Sequence, residues 1–313
     1  MKPHWIAAAL APLLAATPGL AQEGAAPSPC GPGIATDMRW VGNGLMRGGK
    51  GYVATPMGQV HYRLAGPATG PVLLLLHQTP WSMNEFAEVQ ACLAARHVRS
   101  LAIDTPGYGN SDPPPGTPSV ADYADNLVPV LDALGLPMVV AAGHHTGAAI
   151  AAALAARHPT RVAALILHGV PLYTPTERAE RLGKAPRAQA LSADGSHLGD
   201  YYRYILGYAG DDPHARVTAT WSVIDWFLAG SADIAHDIVF RNDMGADLAR
   251  IAVPVLILSD GKDSLHANDR RAAALRLNFR YRDFSDGTPH AMMIHPDRWA
   301  DIAAAFVAET ATR

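Results

Sequence analysis

The stretch from Met138 to His158 (MVVAAGHHTGAAIAAALAARH) constrains the fold of this chain more than any other. Its first five residues form a short apolar run, which predicts a buried strand, and the small residues after Gly147 predict a helix. The residues Gly143-His144-His145-Thr146-Gly147 must then turn the chain from one element into the other. The two glycines permit a tight backbone there, and the start of a helix favours a negatively charged group.

The rest of the chain repeats this alternation of strand and helix. Residues 52–64 alternate around a Met-Gly turn, as a β-hairpin does. An unbroken apolar run, typical of a parallel strand covered on both faces, occupies residues 71–76. Further buried strands are predicted at residues 98–103, 162–167 and 253–258, and another strand at 279–284. Helical patterns occupy residues 86–96, 119–134, 267–275 and 297–309. The alternation predicts an α/β fold with a doubly wound, mostly parallel sheet.

The first 21 residues have the features of a secretory signal peptide. Lys2 and His4 give a weakly positive start, residues 6–14 are apolar, and Gly19-Leu20-Ala21 is a small-x-small cleavage site. The apolar run is too short to span a bilayer, and no later run reaches that length. We therefore expect an exported chain, cleaved near Ala21 and found in the periplasm or outside the cell. A terminal amphipathic or core helix is the alternative.

Three further segments follow the signal peptide. Residues 22–51 are rich in Gly, Pro and Ala, which predicts a leader lying over the surface. Residues 173–245 carry helical patterns but no strong strand, which predicts a helical cap inserted between strands. The remaining residues, 52–172 and 246–313, predict the sheet domain.

Charge and cysteine content narrow the expected partners. A net charge of -3 leaves no basic surplus, so we expect a small-molecule substrate and no nucleic acid. The two cysteines, Cys30 and Cys92, can pair in an oxidising compartment or remain separate thiols. Their spacing does not suit a zinc site. The sequence does not determine an oligomeric state.

Polar segments follow the predicted strands at four places. They are His77-Gln78-Thr79-Pro80, the segment 104–112, the turn at residues 143–147, and the pair Asp263 and His290 after the cap. The carboxyl ends of parallel strands meet at one edge of a sheet, where ligands bind in open α/β folds. We therefore expect these segments to form one site.

In this order and spacing, the chain from about Gly51 to Glu309 resembles the capped α/β-hydrolases of the esterase, epoxide-hydrolase and dehalogenase type. The resemblance rests on the run D-x-x-G-x-G-x-S from Asp104, on the strand that leads to Asp263, and on H-x-x-x-x-x-P from His290. It implies an α/β-hydrolase fold with a helical cap, a hydrolytic activity and no cofactor. The turn at residues 143–147 then corresponds to the nucleophile elbow of that fold.

The resemblance also implies roles for particular residues. His145 occupies the nucleophile position, Asp263 the acid position and His290 the base position, while Gln78 and Thr146 occupy the backbone oxyanion-hole positions. Two features depart from the family pattern. The nucleophile position holds His where Ser, Cys or Asp is expected, and His77-Gln78 replaces the usual His-Gly pair. Asp260 competes with Asp263 for the acid role, but it lies one step too early after the strand.

An imidazole at the elbow permits several reactions. His145 can attack an acyl carbon, act as general base on a water molecule, or hold a substrate while His290 moves protons. We favour hydrolysis of a small to medium, largely apolar ester, lactone or related bond. The alternatives are a lyase or cofactor-independent oxygenase that uses His290 as base, and a non-catalytic ligand-binding protein.

Six further residues are expected near the substrate. They are His77, Trp81, Tyr108, His144, Trp226 and Met292. A metal site is not predicted, although four histidines (His77, His144, His145 and His290) could approach one another at the sheet edge. Adjacent His144 and His145 should diverge across the turn, and no H-x-x-x-H helical pair is present.

Overall fold

A single eight-stranded sheet organises the part of the chain that the computed structural model describes, which is residues 49–182, 191–209, 213–229, 234–284 and 290–311. The strands are β1 (Lys50–Thr55), β2 (Gly58–Ala65), β3 (Val72–Leu76), β4 (Arg99–Ile103), β5 (Val139–His144), β6 (Val162–His168), β7 (Val255–Asp260) and β8 (Phe279–Phe284). Their spatial order is β1-β2-β4-β3-β5-β6-β7-β8. The first two strands form an antiparallel hairpin at one edge, and the strands from β4 to β8 run parallel.

Helices cover both faces of this sheet. They are α1 (Ala87–Ala95), α2 (Val120–Ala133), α3 (Thr146–Arg157), α4 (Pro175–Arg181), α5 (Ser196–Ala209), α6 (Pro213–Ala229), α7 (Ile234–Arg241), α8 (Met244–Arg250), α9 (His266–Ala274), α10 (Ala291–Ile294) and α11 (Pro296–Ala311). Helices α1 and α11 pack together, and α2 and α8 pack against α3. The doubly wound, mostly parallel sheet predicted from the sequence is confirmed.

The central strand β3 shows why an unbroken apolar run is required. Leu73 and Leu75 pack into the same core cluster as residues of α1 and α11. Leu74 and Leu76 pack into the second cluster, which contains residues of α2 and α3. All four side chains are fully buried because alternate residues of a strand face opposite helical layers.

Local signals in the sequence mark several element boundaries correctly. Ser119 caps α2, since its hydroxyl accepts the N–H of Asp122 and the Asp122 carboxylate accepts the N–H of Ser119.

Two predicted domain boundaries differ from the structure. The predicted leader ends too late, because Lys50 and Gly51 already pair with β2 in the hairpin. Helix α8 begins two residues before the predicted boundary of 246 and packs against α3.

Three sequence predictions lie wholly or partly outside the described residues. The signal peptide (1–21) and residues 22–48 of the leader belong to this group, as does Cys30. Cys92 is buried on α1, within the core cluster between that helix and the sheet. Among the residues that the structure describes, none of the helices has the length and hydropathy needed to cross a bilayer.

Between β6 and β7 the chain forms helices α4 to α8, and α6 is tied to the loop after β3 by one buried carboxylate. Asp225 of α6 accepts the backbone N–H of Ser82 at 3.0 Å, the Ser82 hydroxyl at 2.8 Å and the Asn84 side-chain amide at 3.2 Å. Burial raises the pKa of Asp225 to about 7. The helical insertion is thus anchored to the chain just beyond the end of β3.

Replacing Asp225 with Ala is expected to destabilise the protein by about 2–3 kcal/mol, because two donors of buried Ser82 lose their acceptor. The loss should depend on pH. The folded-state pKa of Asp225 lies above the unfolded value of about 3.9. Its carboxyl group therefore stabilises the fold most at pH values below about 3.9. This contribution decreases as the pH rises from about 4 to 7. Urea unfolding of both proteins at pH 5 and pH 8 measures the difference.

Asp200→Ala is the matched control on the neighbouring cap helix. Asp200 forms an exposed ion pair with Arg203, so its removal should change the free energy of unfolding by less than about 0.5 kcal/mol. A destabilisation by Asp225→Ala that grows between pH 5 and pH 8 would contradict the assigned direction of the pKa shift.

Candidate active site

His145 lies at the tip of a sharp turn between β5 and α3. Its backbone has φ 47° and ψ -109°, and its N–H donates to the carbonyl of His168 on β6 at 2.9 Å. The glycines on either side have no room for a side chain. A Cβ on Gly143 would lie 2.1 Å from the carbonyl oxygen of Gly147, and a Cβ on Gly147 would lie 2.0 Å from that of Leu76. The strand–turn–helix frame predicted from the sequence is therefore present, with His145 at its centre.

The side chain of His145 pairs directly with Asp263, which follows β7. Nε2 of His145 lies 2.7 Å from Oδ2 of Asp263. Oδ1 of Asp263 accepts the backbone N–H of Leu265 at 2.6 Å. The imidazole reaches the carboxylate by passing over Gly169, where a Cβ would lie only 2.1 Å from Cδ2 of His145. The Asp263 side chain is 2% exposed and that of His145 is 22% exposed. The carboxylate is therefore buried, while the imidazole can be reached from the solvent.

The charge state of Asp263 fixes the donor in this hydrogen bond. Burial alone would raise the pKa of Asp263, but the charge and hydrogen bond of His145 hold it well below its usual range. An ionised carboxylate only accepts, so Nε2 of His145 carries the proton and the lone pair of a neutral ring lies on Nδ1. Burial would lower the pKa of His145, yet the adjacent Asp263 carboxylate outweighs burial and raises it.

His290 does not have the partner that the sequence predicted. In the described part of the chain the Asp263 carboxylate bonds to His145 and Leu265, and it has no hydrogen bond to His290. Nδ1 of His290 instead accepts the side-chain amide of Gln78 at 3.2 Å, and its ring lies 4.6 Å from that of Trp81. Burial lowers the pKa of His290 to about 4. The expected Asp263–His290 pair is replaced by the Asp263–His145 pair because the elbow side chain is itself an imidazole.

The predicted oxyanion-hole donors also differ in their surroundings. The N–H of Gln78 donates to Oε2 of Glu85 at 3.0 Å, so this predicted position is already occupied by a protein acceptor. The N–H of Thr146, the first residue of α3, and that of Thr79 have no hydrogen-bond partner within the described ranges. Gly147 packs on the carbonyl of Leu76 at the end of β3, which brings the start of α3 close to the loop that carries Thr79. Of the two predicted donors, Thr146 therefore keeps a free N–H and Gln78 does not, and Thr79 is the neighbouring loop residue whose N–H is free.

Glu85 is a buried acid of the site that the sequence analysis missed. Its Oε1 lies 2.5 Å from Nδ1 of His144 and accepts the side-chain amide of Gln78 at 3.2 Å. Burial raises the pKa of Glu85 to about 8. No motif marks this residue, since it lies in a short 3-10 helix, Met83–Phe86, after the loop that follows β3.

The sequence analysis expected the side chains of His144 and His145 to diverge, but they lie next to each other. The two ring centroids are 4.3 Å apart. The side chain of His144 is 0% exposed, so the prediction that it contacts substrate is wrong. Burial holds the pKa of His144 well below its ordinary value. His144 is therefore a neutral, interior neighbour of the elbow.

A second buried His–Asp pair lies behind the elbow and was also missed. Nε2 of His168, at the end of β6, is 3.2 Å from Oδ1 of Asp260, and both side chains are fully buried. Burial would lower the pKa of His168, but the Asp260 carboxylate outweighs it and raises that pKa to about 9. Asp260 thus pairs with His168, while Asp263 is the acid beside the elbow. The sequence did offer one signal for this pair, because His168 directly follows the predicted strand that comes after the elbow helix.

The remaining predicted substrate contacts divide into buried and accessible positions. Both ring nitrogens of His77 are used within the protein, by the carbonyl of Gln78 at 2.8 Å and by the N–H and hydroxyl of Thr105 at 3.0 Å. Tyr108 packs against His77, and Met292 is fully buried in the core. His77 and Met292 are therefore structural residues, which corrects the prediction.

Two aromatic residues among the predicted contacts keep a place near the site. Trp81 is almost entirely buried, and its ring packs against His290. Trp226 of α6 is partly exposed and stacks on Tyr201 of α5, with ring centroids 4.1 Å apart. These rings give the surroundings of His290 and the inserted helices an aromatic character.

The chemistry available to this arrangement follows from its hydrogen bonds. A histidine oriented by a buried carboxylate can accept and return a proton at its other nitrogen. Backbone N–H groups without a partner at a helix start can stabilise an oxygen that becomes negative. The arrangement therefore offers one candidate general base, His145, and free backbone N–H groups as candidate oxyanion donors.

Comparison with known proteins supports the fold. Residues 71–223 match the family model described as alpha/beta hydrolase fold. The chain is 27% identical over 259 residues to a bifunctional esterase/perhydrolase of Acinetobacter calcoaceticus, covering 77% of this chain and 93% of that protein. It is 28% identical over 274 residues to a non-heme chloroperoxidase of Streptomyces lividans, covering 82% and 99% respectively.

Solved structures show the same fold at lower identity. An esterase from Rhodococcus sp. ECU1013 has a TM-score of 0.69 and 22% identity, covering 84% of this chain and 100% of that chain. An enol-lactonase from Burkholderia xenovorans LB400 has a TM-score of 0.66 and 21% identity, with the same coverage of both chains.

Proposed function

We propose that this chain, which has the α/β-hydrolase fold, hydrolyses carboxylic esters or lactones with His145 as the general base. The observation that carries the proposal is the 2.7 Å contact between Nε2 of His145 and Asp263 at the nucleophile elbow. The esterase/perhydrolase similar to this chain supports the class of bond. The aromatic rings of Trp81, Tyr201 and Trp226 favour a small to medium, largely apolar substrate.

The hydrogen-bond pattern favours a base over a covalent nucleophile. Nε2 of His145 is engaged by Asp263, so the free lone pair is on Nδ1, the nitrogen next to the Cβ-bearing carbon. Nδ1 takes a proton from a water molecule, and the water oxygen attacks the acyl carbon. The carbonyl oxygen becomes negative and accepts the N–H groups of Thr146 and Thr79. The intermediate then expels the alkoxide, which receives the proton from Nδ1.

The other reactions considered from the sequence have less support. A lyase or oxygenase that relies on His290 as base needs a histidine that is basic near neutral pH, whereas burial lowers the pKa of His290 to about 4. A protein that only bound an uncharged organic ligand would not need the buried Asp263 carboxylate beside His145, which is costly to desolvate.

Replacing His145 with Ala tests the proposal directly. We expect kcat/KM for p-nitrophenyl acetate and for a simple lactone to decrease about 10²- to 10⁴-fold, because the general base is lost. His158→Ala is the matched control, since His158 forms a surface pair with Asp125 at the same 2.7 Å distance. Equal rates in the wild type and in His145→Ala, or no hydrolysis by the wild type, would exclude the proposed role.

Export is part of the same proposal. The basic start, apolar run and cleavage site in residues 1–21 support secretion, with a mature protein in the periplasm or outside the cell. N-terminal sequencing of the protein recovered from cell fractions tests this, and an intact Met1 in the cytoplasmic fraction would contradict it.

A further inference from the structure

We propose that His144, His145 and Asp263 bind a divalent metal ion, with Zn²⁺ as the ion that their chemistry favours. The ligand atoms are Nε2 of each histidine and Oδ2 of Asp263. Two imidazole nitrogens with one carboxylate oxygen form a donor set that suits zinc well. The proposal concerns the binding of an ion, so it does not depend on the reaction proposed above.

The three ligand atoms already lie close together. They are all within 4.8 Å of one another, with 2.7 Å between His145 and Asp263 and 4.0 Å between His144 and Asp263. Zinc–ligand bonds of about 2.0–2.2 Å hold the ligand atoms of a tetrahedral site about 3.3 Å apart. Side-chain movements of about 1.5 Å or less would therefore bring all three atoms to this spacing.

The state of His144 provides an independent reason for the site. Its side chain is 0% exposed, and among the residues that the structure describes its Nε2 has no hydrogen-bond partner. A buried polar nitrogen without a partner is costly and requires an explanation. Nε2 of His144 lies 4.0 Å from Oδ2 of Asp263, so an ion bound between these two atoms would supply the missing partner.

Glu85 prepares His144 for this role. Its Oε1 is 2.5 Å from Nδ1 of His144, so the carboxylate can accept Nδ1–H and leave the lone pair of His144 on Nε2. A carboxylate on the outer nitrogen is the usual support of a metal-bound histidine. The Asp263 carboxylate supplies a negative charge that partly balances a buried divalent ion.

The surroundings are compatible with entry of an ion. His145 is the accessible ligand, with 22% of its side chain exposed, and a fourth coordination position can face the solvent on that side. The neighbouring imidazole of His168 is paired with Asp260. An ion and a proton would compete for Nε2 of His145, so the metal-loaded and metal-free proteins are different chemical states.

The test measures zinc binding directly on the full chain without an affinity tag, after treatment with a chelator. Equilibrium dialysis against Zn²⁺ should give one bound equivalent, and zinc should raise the Tm. Cobalt should give the visible absorption of a tetrahedral nitrogen–oxygen site. Failure to bind a stoichiometric ion would overturn the proposal.

Variants identify the site. His144→Ala should raise the Kd for zinc at least about 100-fold, and Glu85→Gln should raise it about 10- to 100-fold. His158→Ala, from the surface pair with Asp125, should leave the Kd unchanged. Because His144 is fully buried, His145→Ala serves as a second ligand variant if His144→Ala does not fold. An unchanged Kd in a folded ligand variant would overturn the proposal.

The same samples separate this proposal from the hydrolytic function. Ester hydrolysis that persists in chelator, together with absent zinc binding, would overturn the metal site alone. Stoichiometric zinc binding with no hydrolysis in either state would support the metal site and overturn the proposed function.

Discussion

Asp263→Asn is expected to lower kcat/KM for an ester substrate about 10³- to 10⁴-fold without unfolding the protein. The reason is the proton position on His145. Oδ1 of Asp263 accepts the N–H of Leu265 at 2.6 Å, so the carbonyl oxygen of an asparagine would keep that bond. Its NH₂ group would then face Nε2 of His145 and require this nitrogen to accept. The ring would place its proton on Nδ1, and the proposed base would be lost.

Two measurements check this prediction. Steady-state kinetics with an aryl ester gives the loss of activity, and NMR of isotope-labelled histidine shows which ring nitrogen carries the proton. Asp125→Asn is the control, because it changes the partly exposed His158–Asp125 pair, and His158 lies at the opposite end of α3 from the elbow. Asp263→Asn with more than a tenth of the wild-type activity would contradict the assigned role of Asp263.

Gly147→Ala is expected to destabilise the fold by about 3 kcal/mol or more. Gly147 is the second residue of α3, and a Cβ there would lie 2.0 Å from the carbonyl oxygen of Leu76 and 2.9 Å from that of His77. Both atoms are backbone, so a side-chain rotation cannot relieve the overlap, and α3 would have to move away from β3. Such a movement separates tightly packed layers of the core, which is among the most destabilising consequences of a point substitution.

Gly207→Ala is the matched control for this prediction. Gly207 also lies in a helix, α5, but a Cβ there meets no atom within 4 Å. Alanine should therefore stabilise the protein by up to about 1 kcal/mol through helix propensity alone. Urea unfolding of the two variants should give free-energy changes of opposite sign. A stabilising Gly147→Ala would show that the elbow is not packed against β3 as described.

The elements of the sheet were predictable from local patterns. The run Val72–Leu76 is apolar at every position because both of its faces are covered, and the sequence shows that directly. Ser119 and Asp122 specify the start of α2 through side chains three residues apart. Patterns of this kind depend on neighbours in the chain, so they can be read without knowing the fold.

The partners within the site were not predictable in the same way. The resemblance to a known family predicted Asp263 with His290, whereas Asp263 contacts His145. Glu85 and His168 carry no recognisable motif, yet both are buried within this cluster of acids and histidines. Each of these pairs joins residues from different strands or loops, and their distances depend on how the sheet brings those segments together.

The sequence alone determined the doubly wound sheet and the strand–turn–helix frame with His145 at its tip, because apolar periodicity and glycine spacing are local properties. The family resemblance added the expectation that Asp263 lies in the same site. Only the tertiary structure decided which atoms meet. Gly169 shows the physical reason. Without a side chain it leaves space for the His145 ring, and a Cβ there would lie 2.1 Å from that ring. That space, formed between residues distant in the chain, lets His145 reach Asp263.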